Sequence, residues 1–205
     1  MGMERNSSTI LIGDIAAITT GVTIRDAAAE LQAAGDVRVI SASNVEAGPT
    51  LNLTGVRYIS RNNLPPESLL APNDLIFRNR GSRFDAVTPP VDSIPSVATS
   101  MLVLHVNPNK AVPGYLAWAI NVHPIVRNTI LTKANVGSTI PSINSSELAE
   151  IKIPLPSLKV QHRIATIHDL QARIRHLEQR LHDLGEKYLT AALVRLVERS
   201  SAQGD

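Results

Sequence analysis

Ile151-Lys152-Ile153-Pro154-Leu155-Pro156-Ser157-Leu158 marks a change of texture in the chain. The two closely spaced prolines hold Lys152 to Pro156 extended, because proline fixes its own φ and pushes the residue before it out of the helical region. From Leu158 to about Val197 there is no proline and only one glycine, Gly185. Within that tract Leu170, Ile174, Leu177, Leu181, Leu184 and Tyr188 recur at gaps of 4, 3, 4, 3 and 4. This spacing predicts a helix that packs along another helix, with Arg173, Arg175, Glu178, Arg180 and Asp183 on its flanks. Val160, Ile164 and Ile167 carry the stripe upstream, although the step from Ile167 to Leu170 breaks strict alternation. At ~1.5 Å per residue such a helix is on the order of 60 Å long, more than a compact domain needs. Part of it is expected to protrude and to cover its seam, Ile167 to Tyr188, with a copy of itself or with another chain.

Upstream, residues 9–156 read as an irregular α+β domain with short strands. Val37 to Ile40, Asp74 to Arg78 and Ser100 to Val106 are the strand candidates, rich in β-branched and large apolar residues. Asn44 to Asn52 reads as loop, and Pro89, Pro90 and Pro95 exclude helix between the later strands. Pro113 opens a helix through Val122, and Pro124 a second through Leu131. Ser145 or Ser146 is the expected cap of a short helix containing Glu147 to Glu150. The expected organisation is a folded domain at 9–156, a long spacer and dimerisation helix at 157–198, and flexible termini at 1–8 and 199–205.

Composition narrows the function. The chain has 205 residues, 43% hydrophobic, with a formal net charge of +2 and no cysteine. That length buries a real core, and the lack of cysteine excludes disulfides and thiolate metal sites. The six histidines include no pair at i, i+4 spacing, so no zinc site is expected. No apolar run reaches the ~18 residues of a membrane span and the polar Met1 to Ser8 is no signal peptide, so the cytoplasm is the expected compartment. Charge is distributed unevenly. Residues 1–50 carry three arginines against six acids, whereas residues 57–83 carry Arg57, Arg61, Arg78, Arg80 and Arg83 against only Glu67 and Asp74.

Four stretches carry a family likeness. They are Asn73-Asp74-Leu75-Ile76-Phe77 running into Arg80-Gly81; Val112-Pro113-Gly114-Tyr115-Leu116; Gly137-Ser138-Thr139; and Ile151 to Pro156 followed by Gln161 and Ile164. In this order the chain resembles half of a type I restriction-modification specificity subunit, with one target recognition domain and one spacer helix. The likeness covers about residues 9–190. It departs from the usual member of the family, which has two recognition domains and two helices. The resemblance implies a double-stranded DNA partner, a methyltransferase subunit as a second partner, and a restriction subunit where the system also cleaves.

Candidate contact residues follow from that likeness and from side-chain chemistry. Arg78, Asn79, Arg80, Ser82 and Arg83 crowd three guanidiniums and two short polar groups around Gly81. Arginine pairs bidentately with phosphate or with guanine, and asparagine with adenine. Lys133, Asn135, Ser138 and Thr139 form a second polar loop suited to phosphate oxygens, or alternatively a turn that ends a helix. Ser43 and Asn44, after the first strand candidate, are weaker candidates. Arg57 and Arg61 divide between phosphate contact and simple surface decoration. Asn73 to Phe77 itself reads as core. With only six aromatics, largely in apolar contexts, stacking on single strands is disfavoured and duplex DNA fits better.

Catalytic readings fare poorly. Asp74 with Asp85, or Glu147 with Glu150, lack the surrounding pattern of a nuclease, and no glycine-rich nucleotide motif is present, so neither enzymatic activity nor a cofactor is expected. The expected protein is a non-catalytic DNA reader acting as a homodimer on an inverted bipartite site. Two alternatives remain open at this point: a coiled-coil adaptor that binds protein, and a truncated specificity subunit that acts as a regulator.

Overall fold

The computed structural model describes residues 8–24, 31–46, 50–134 and 139–201. It is α+β. A short strand β1 (Thr9–Leu11) leads into a single helical turn α1 (Ile12–Ile15) and strand β2 (Ala16–Thr20). Strands β3 (Val37–Ile40), β4 (Arg57–Ile59), β5 (Asp74–Phe77), β6 (Ala86–Val87), β7 (Ser96–Ala98) and β8 (Leu102–Val106) follow. Helices α2 (Pro113–Val122), α3 (Pro124–Ala134) and α4 (Ser145–Ala149) precede strand β9 (Lys152–Pro154) and the 44-residue helix α5 (Leu158–Ser201).

Three sheets organise the strands. β2-β8-β5-β6 is antiparallel throughout, β4-β3-β7 is mixed with β3 parallel to β7, and β1 pairs antiparallel with β9. Alternation along β5 and β8 sorts the core. Leu75 and Phe77, with Leu102 and Leu104, face a cluster built with Ile12, Ile15, Tyr115, Leu116, Ile120, Ile130 and Leu148 from the helices. Ile76 and Val103, on the opposite face, meet Ile40 and Ala98 of the second sheet. The far side of that sheet buries Val37, Val39, Ile59 and Val97 against Leu64 and Leu69. The four-stranded sheet is therefore covered on both faces, which is why β5 and β8 contain almost nothing but buried apolar residues.

Asp74 is the exception. Its carboxylate accepts the backbone N–H of Ala71 at 2.8 Å and lies 2.8 Å from His105 Nδ1, whose Nε2 lies 2.9 Å from Thr19 Oγ1. Burying this carboxylate is tolerated because it is bonded. The motif around Asp74 builds the turn and the core, as its sequence implies.

Several local expectations are corrected. The last short helix is capped by Asn144 rather than Ser145 or Ser146: its Oδ1 accepts the Glu147 N–H at 2.9 Å while Glu147 Oε2 accepts the Asn144 N–H at 2.8 Å. The helix opened by Pro124 runs to Ala134, beyond Leu131, because Ile130 and Ala134 continue its buried face. The strand candidate at Ser100 starts at Leu102, since Ser100 sits at φ 56° in a turn that joins β7 to β8. Arg57 and Tyr58, for which no strand is expected from the sequence, lie on β4, with Arg57 exposed.

Gln161, only 1% exposed, fixes the start of α5. Its Oε1 accepts the Val112 N–H at 2.9 Å, and its Nε2 donates to the Pro156 carbonyl at 2.9 Å. Tyr115 Oη donates to the Pro154 carbonyl at 2.6 Å, joining α2 to β9. Contacts divide the chain after His168. Between 169 and 195 the large apolar residues are exposed, from Leu170 at 51% to Tyr188 at 76%.

Candidate nucleic-acid interface

The Arg78–Arg83 segment is the tip of the β5–β6 hairpin. Phe77 pairs with Ala86, and the Arg78 N–H donates to the Asp85 carbonyl at 2.9 Å, extending the ladder by one residue. The reversal needs Gly81, whose φ of +100° no L side chain adopts comfortably. Three ties then hold the tip to the chain between α3 and α4. The Gly81 N–H donates to the Pro141 carbonyl at 2.9 Å, Arg80 forms an antiparallel bridge with Ser142, and Ile143 N–H donates to the Asn79 carbonyl at 3.0 Å. Arg80 and Ser82 are exposed, and Arg78 and Arg83 are half-buried. The Arg80 backbone is thus fixed while its side chain faces solvent, an arrangement that reduces the entropy lost on binding.

Asn79 has a different employment. Its Nδ2 donates to the Ile143 carbonyl at 3.1 Å, so the amide proposed by sequence for base contact is already committed to backbone. The second polar loop adjoins the hairpin, because Ser142 N–H donates to the Ala134 carbonyl at 3.0 Å. There Lys133 Nζ pairs with Glu150 at 3.2 Å and Thr139 is exposed, while Asn135 and Ser138 lie outside the described residues.

A third segment is brought in by Arg83, whose Nη2 donates to the Val45 carbonyl at 2.7 Å. Val45 follows a 3-10 turn, Ala42–Asn44, in which Ser43 is exposed. Asn44 is occupied locally: its Oδ1 accepts the Ser41 N–H at 2.9 Å and its Nδ2 donates to the Asn52 carbonyl at 3.1 Å. Hence Arg78 to Arg83, Lys133 with Thr139, and Ser43 with Asn44 converge on one rim.

Arg57 and Arg61 are not tied to that rim. Arg57 Nη2 donates to the Leu31 carbonyl at 2.7 Å. Arg61 lies past the other end of β4, its N–H 3.5 Å from Asp36 Oδ2. Arg38, 4% exposed, is structural: it grips both Asp92 oxygens at 3.3 and 2.8 Å, and its guanidinium holds the Asp92 carboxyl below the usual carboxylate range.

Two residues that the sequence did not place at this interface adjoin the hairpin. Asp85, 5% exposed, has Arg83 Nε 3.8 Å from Oδ2 and Arg127 Nη1 3.7 Å from Oδ1. Arg127, on α3, also donates to the Phe84 carbonyl at 3.2 Å. No sequence pattern links Arg127 to residue 85, since the two meet only through the packing of α3 on the hairpin.

The acid pairs considered from sequence are not pairs. Asp74 and Asp85 lie at opposite ends of the β5–β6 hairpin, Glu147 caps α4, and Glu150 faces Lys133. Among the described residues no group of three His, Asp or Glu is placed to hold a metal ion, and no helix is long and apolar enough to cross a membrane.

The model of a family described as the type I restriction modification DNA specificity domain matches residues 4–183. The chain belongs to that family. No curated protein shows a significant sequence match. Solved structures similar to this specificity domain include a chain described under the complex assembly and conformational transition of the type I R-M system (TM-score 0.58, 16% identity, covering 88% of this chain and 45% of that one). A second is the S subunit of a type I restriction-modification system from M. genitalium (0.57, 17%, 87% and 43%). A third is the HsdS subunit from Thermoanaerobacter tengcongensis (0.52, 18%, 88% and 45%). The specificity domain therefore spans a little under half the length of the solved chains it matches. At these identities the likeness establishes the fold.

Proposed function

We propose that the chain reads duplex DNA sequence for a type I restriction-modification system and leaves the chemistry to partner subunits. The observation that carries this is the convergence of three sequence-distant polar segments around Arg80, on a backbone fixed at Gly81, Arg80 and Asn79. Phosphate contacts from Lys133 and Thr139 would set register, and Arg80 with Ser82 would reach base edges. The recognition head spans residues 9–156 and the spacer helix residues 157–198.

The exposed Ile167-to-Tyr188 stripe supports pairing with a second copy. Two chains joined antiparallel along these helices set two heads about a two-fold axis, so the target is a pair of inverted half-sites with a fixed gap. A methyltransferase subunit docks on this assembly in the cytoplasm, joined by a restriction subunit where the system cleaves. The net charge of only +2 implies that the partner supplies much of the electrostatic grip.

Selection from a random duplex pool by the full chain, alone and with a methyltransferase partner, tests this. An enriched sequence with inverted halves is expected. Arg80→Ala then costs ~1–3 kcal/mol with loss of base preference if it reads a base, or lowers the salt slope by about 1 if it holds a phosphate. Enrichment of nothing above background would remove the reading.

A further inference from the structure

We infer that Asp85 is a positioning residue that holds Arg83 and Arg127 as a paired guanidinium site for one DNA strand, and that Arg127 is a contact residue of the rim. The inference rests on the DNA contact proposed for the Arg78–Arg83 hairpin.

Asp85 is a carboxylate in an expensive place. It is 5% exposed, and its Oδ2 is buried without a hydrogen bond. A buried charge needs close partners, and removing it from water is repaid only by good geometry. Here each oxygen faces a different arginine, at 3.8 Å and 3.7 Å, just beyond hydrogen-bond reach. A carboxylate serving only stability would close on one of them. Instead each arginine spends its hydrogen bond on a carbonyl, Arg83 on Val45 at 2.7 Å and Arg127 on Phe84 at 3.2 Å. Both side chains keep 34% of their surface open.

The result is two guanidiniums from different elements, one on the hairpin and one on α3, aligned by a shared counter-charge between them. Each carbonyl anchor fixes one edge of its guanidinium, and an arginine has donors on more than one edge. The remaining donors match the oxygens of a phosphate or the acceptor edge of guanine. Asp85 prevents the two like charges from splaying apart, and its negative charge lowers the non-specific pull of the pair on any polyanion.

This makes a prediction opposite to simple electrostatics. Removing a negative charge next to a DNA-binding rim should tighten binding. For a positioning carboxylate, Asp85→Asn instead erodes discrimination.

The test measures affinity of the full chain for the duplex enriched from a random pool and for a scrambled duplex of equal length, across a salt series. Asp85→Asn is expected to lower the ratio of the two affinities about tenfold while scrambled-duplex binding stays level or rises. Arg127→Ala is expected to lower the same ratio, with little further loss in the double variant. Thermal unfolding of each variant separates this from misfolding, and Asp85→Glu, which restores the charge, is expected to recover part of the ratio. An unchanged ratio in both Asp85→Asn and Arg127→Ala, with Arg83→Ala still impaired, overturns the inference alone. No effect of Arg80→Ala or Arg83→Ala, or no binding by the wild-type chain, overturns the proposed interface and the inference with it.

Discussion

The side-chain carbonyl of Gln161 accepts the backbone N–H of Val112 at 2.9 Å, joining the first turn of α5 to the residue that precedes α2. Because Gln161 is 1% exposed, replacing it with Ala removes the bonds to the part-buried Val112 N–H and Pro156 carbonyl and empties a buried position. Gln161→Ala is expected to cost ~2–3 kcal/mol in urea unfolding. Gln161→Glu retains the acceptor but loses the donor to Pro156, and an intermediate loss is expected. Equal stability of wild type and Gln161→Ala would show that solvent replaces both bonds.

Gly81→Ala is expected to separate fold from rim. The φ of +100° at Gly81 strains any residue with a Cβ, at a cost of ~1–2 kcal/mol, yet Gly81 lies at a hairpin tip outside the core. Calorimetry should show a small drop in melting temperature, while affinity for the enriched duplex falls at least tenfold. A variant with native affinity would mean that the tip geometry is irrelevant to binding.

Alkaline pH should loosen the α2–β9 junction. Burial pushes the Tyr115 hydroxyl up to about 12 from an ordinary 10.0. Below the ordinary value both folded and unfolded chains keep the proton, and stability is unaffected. Between about 10 and 12 the unfolded chain loses it first, so stability falls as pH rises and levels off above the folded value. Tyr115→Phe is expected to be less stable at neutral pH, having lost the bond to the Pro154 carbonyl, but to show a shallower alkaline decline. Parallel declines would assign the effect to other groups.

Leu177, 61% exposed, sits mid-way along the stripe on α5. If that stripe joins two copies, Leu177→Glu places a charge in the seam and should convert a dimer to a monomer in sedimentation at micromolar concentration. The surface position means that the folded unit before Asp169 stays intact, as circular dichroism will report. A wild-type chain that sediments as a monomer at the same concentration rules out self-pairing.

Legibility in the sequence followed the range of the interactions. β3, β5 and β8 were readable because runs such as Leu75-Ile76-Phe77 and Leu102-Val103-Leu104 are apolar on both faces, and α2 and α3 because Pro113 and Pro124 open them. β1 and β4 were not. β1 is three residues long and is stabilised by β9 at the far end of the folded region, and Arg57-Tyr58-Ile59 shows only Ile59 fully to the core. In the same way the hairpin tip was recognisable by its arginines. That Asn79 binds the Ile143 carbonyl and Arg83 the Val45 carbonyl depends on folding remote segments together, which no local pattern records. Gln161 and Val112 were each visible within a family motif, but the bond that joins them was not.

The pairing of Thr9–Leu11 with Lys152–Pro154 has an architectural consequence. Adjacent antiparallel strands lie about 4.8 Å apart, so the polypeptide enters and leaves the folded region between them at almost one point. Such a unit behaves as a cassette. A change of length or sequence between those two strands is absorbed inside the folded unit, while the points where the chain enters and leaves it stay set by the β1–β9 pair.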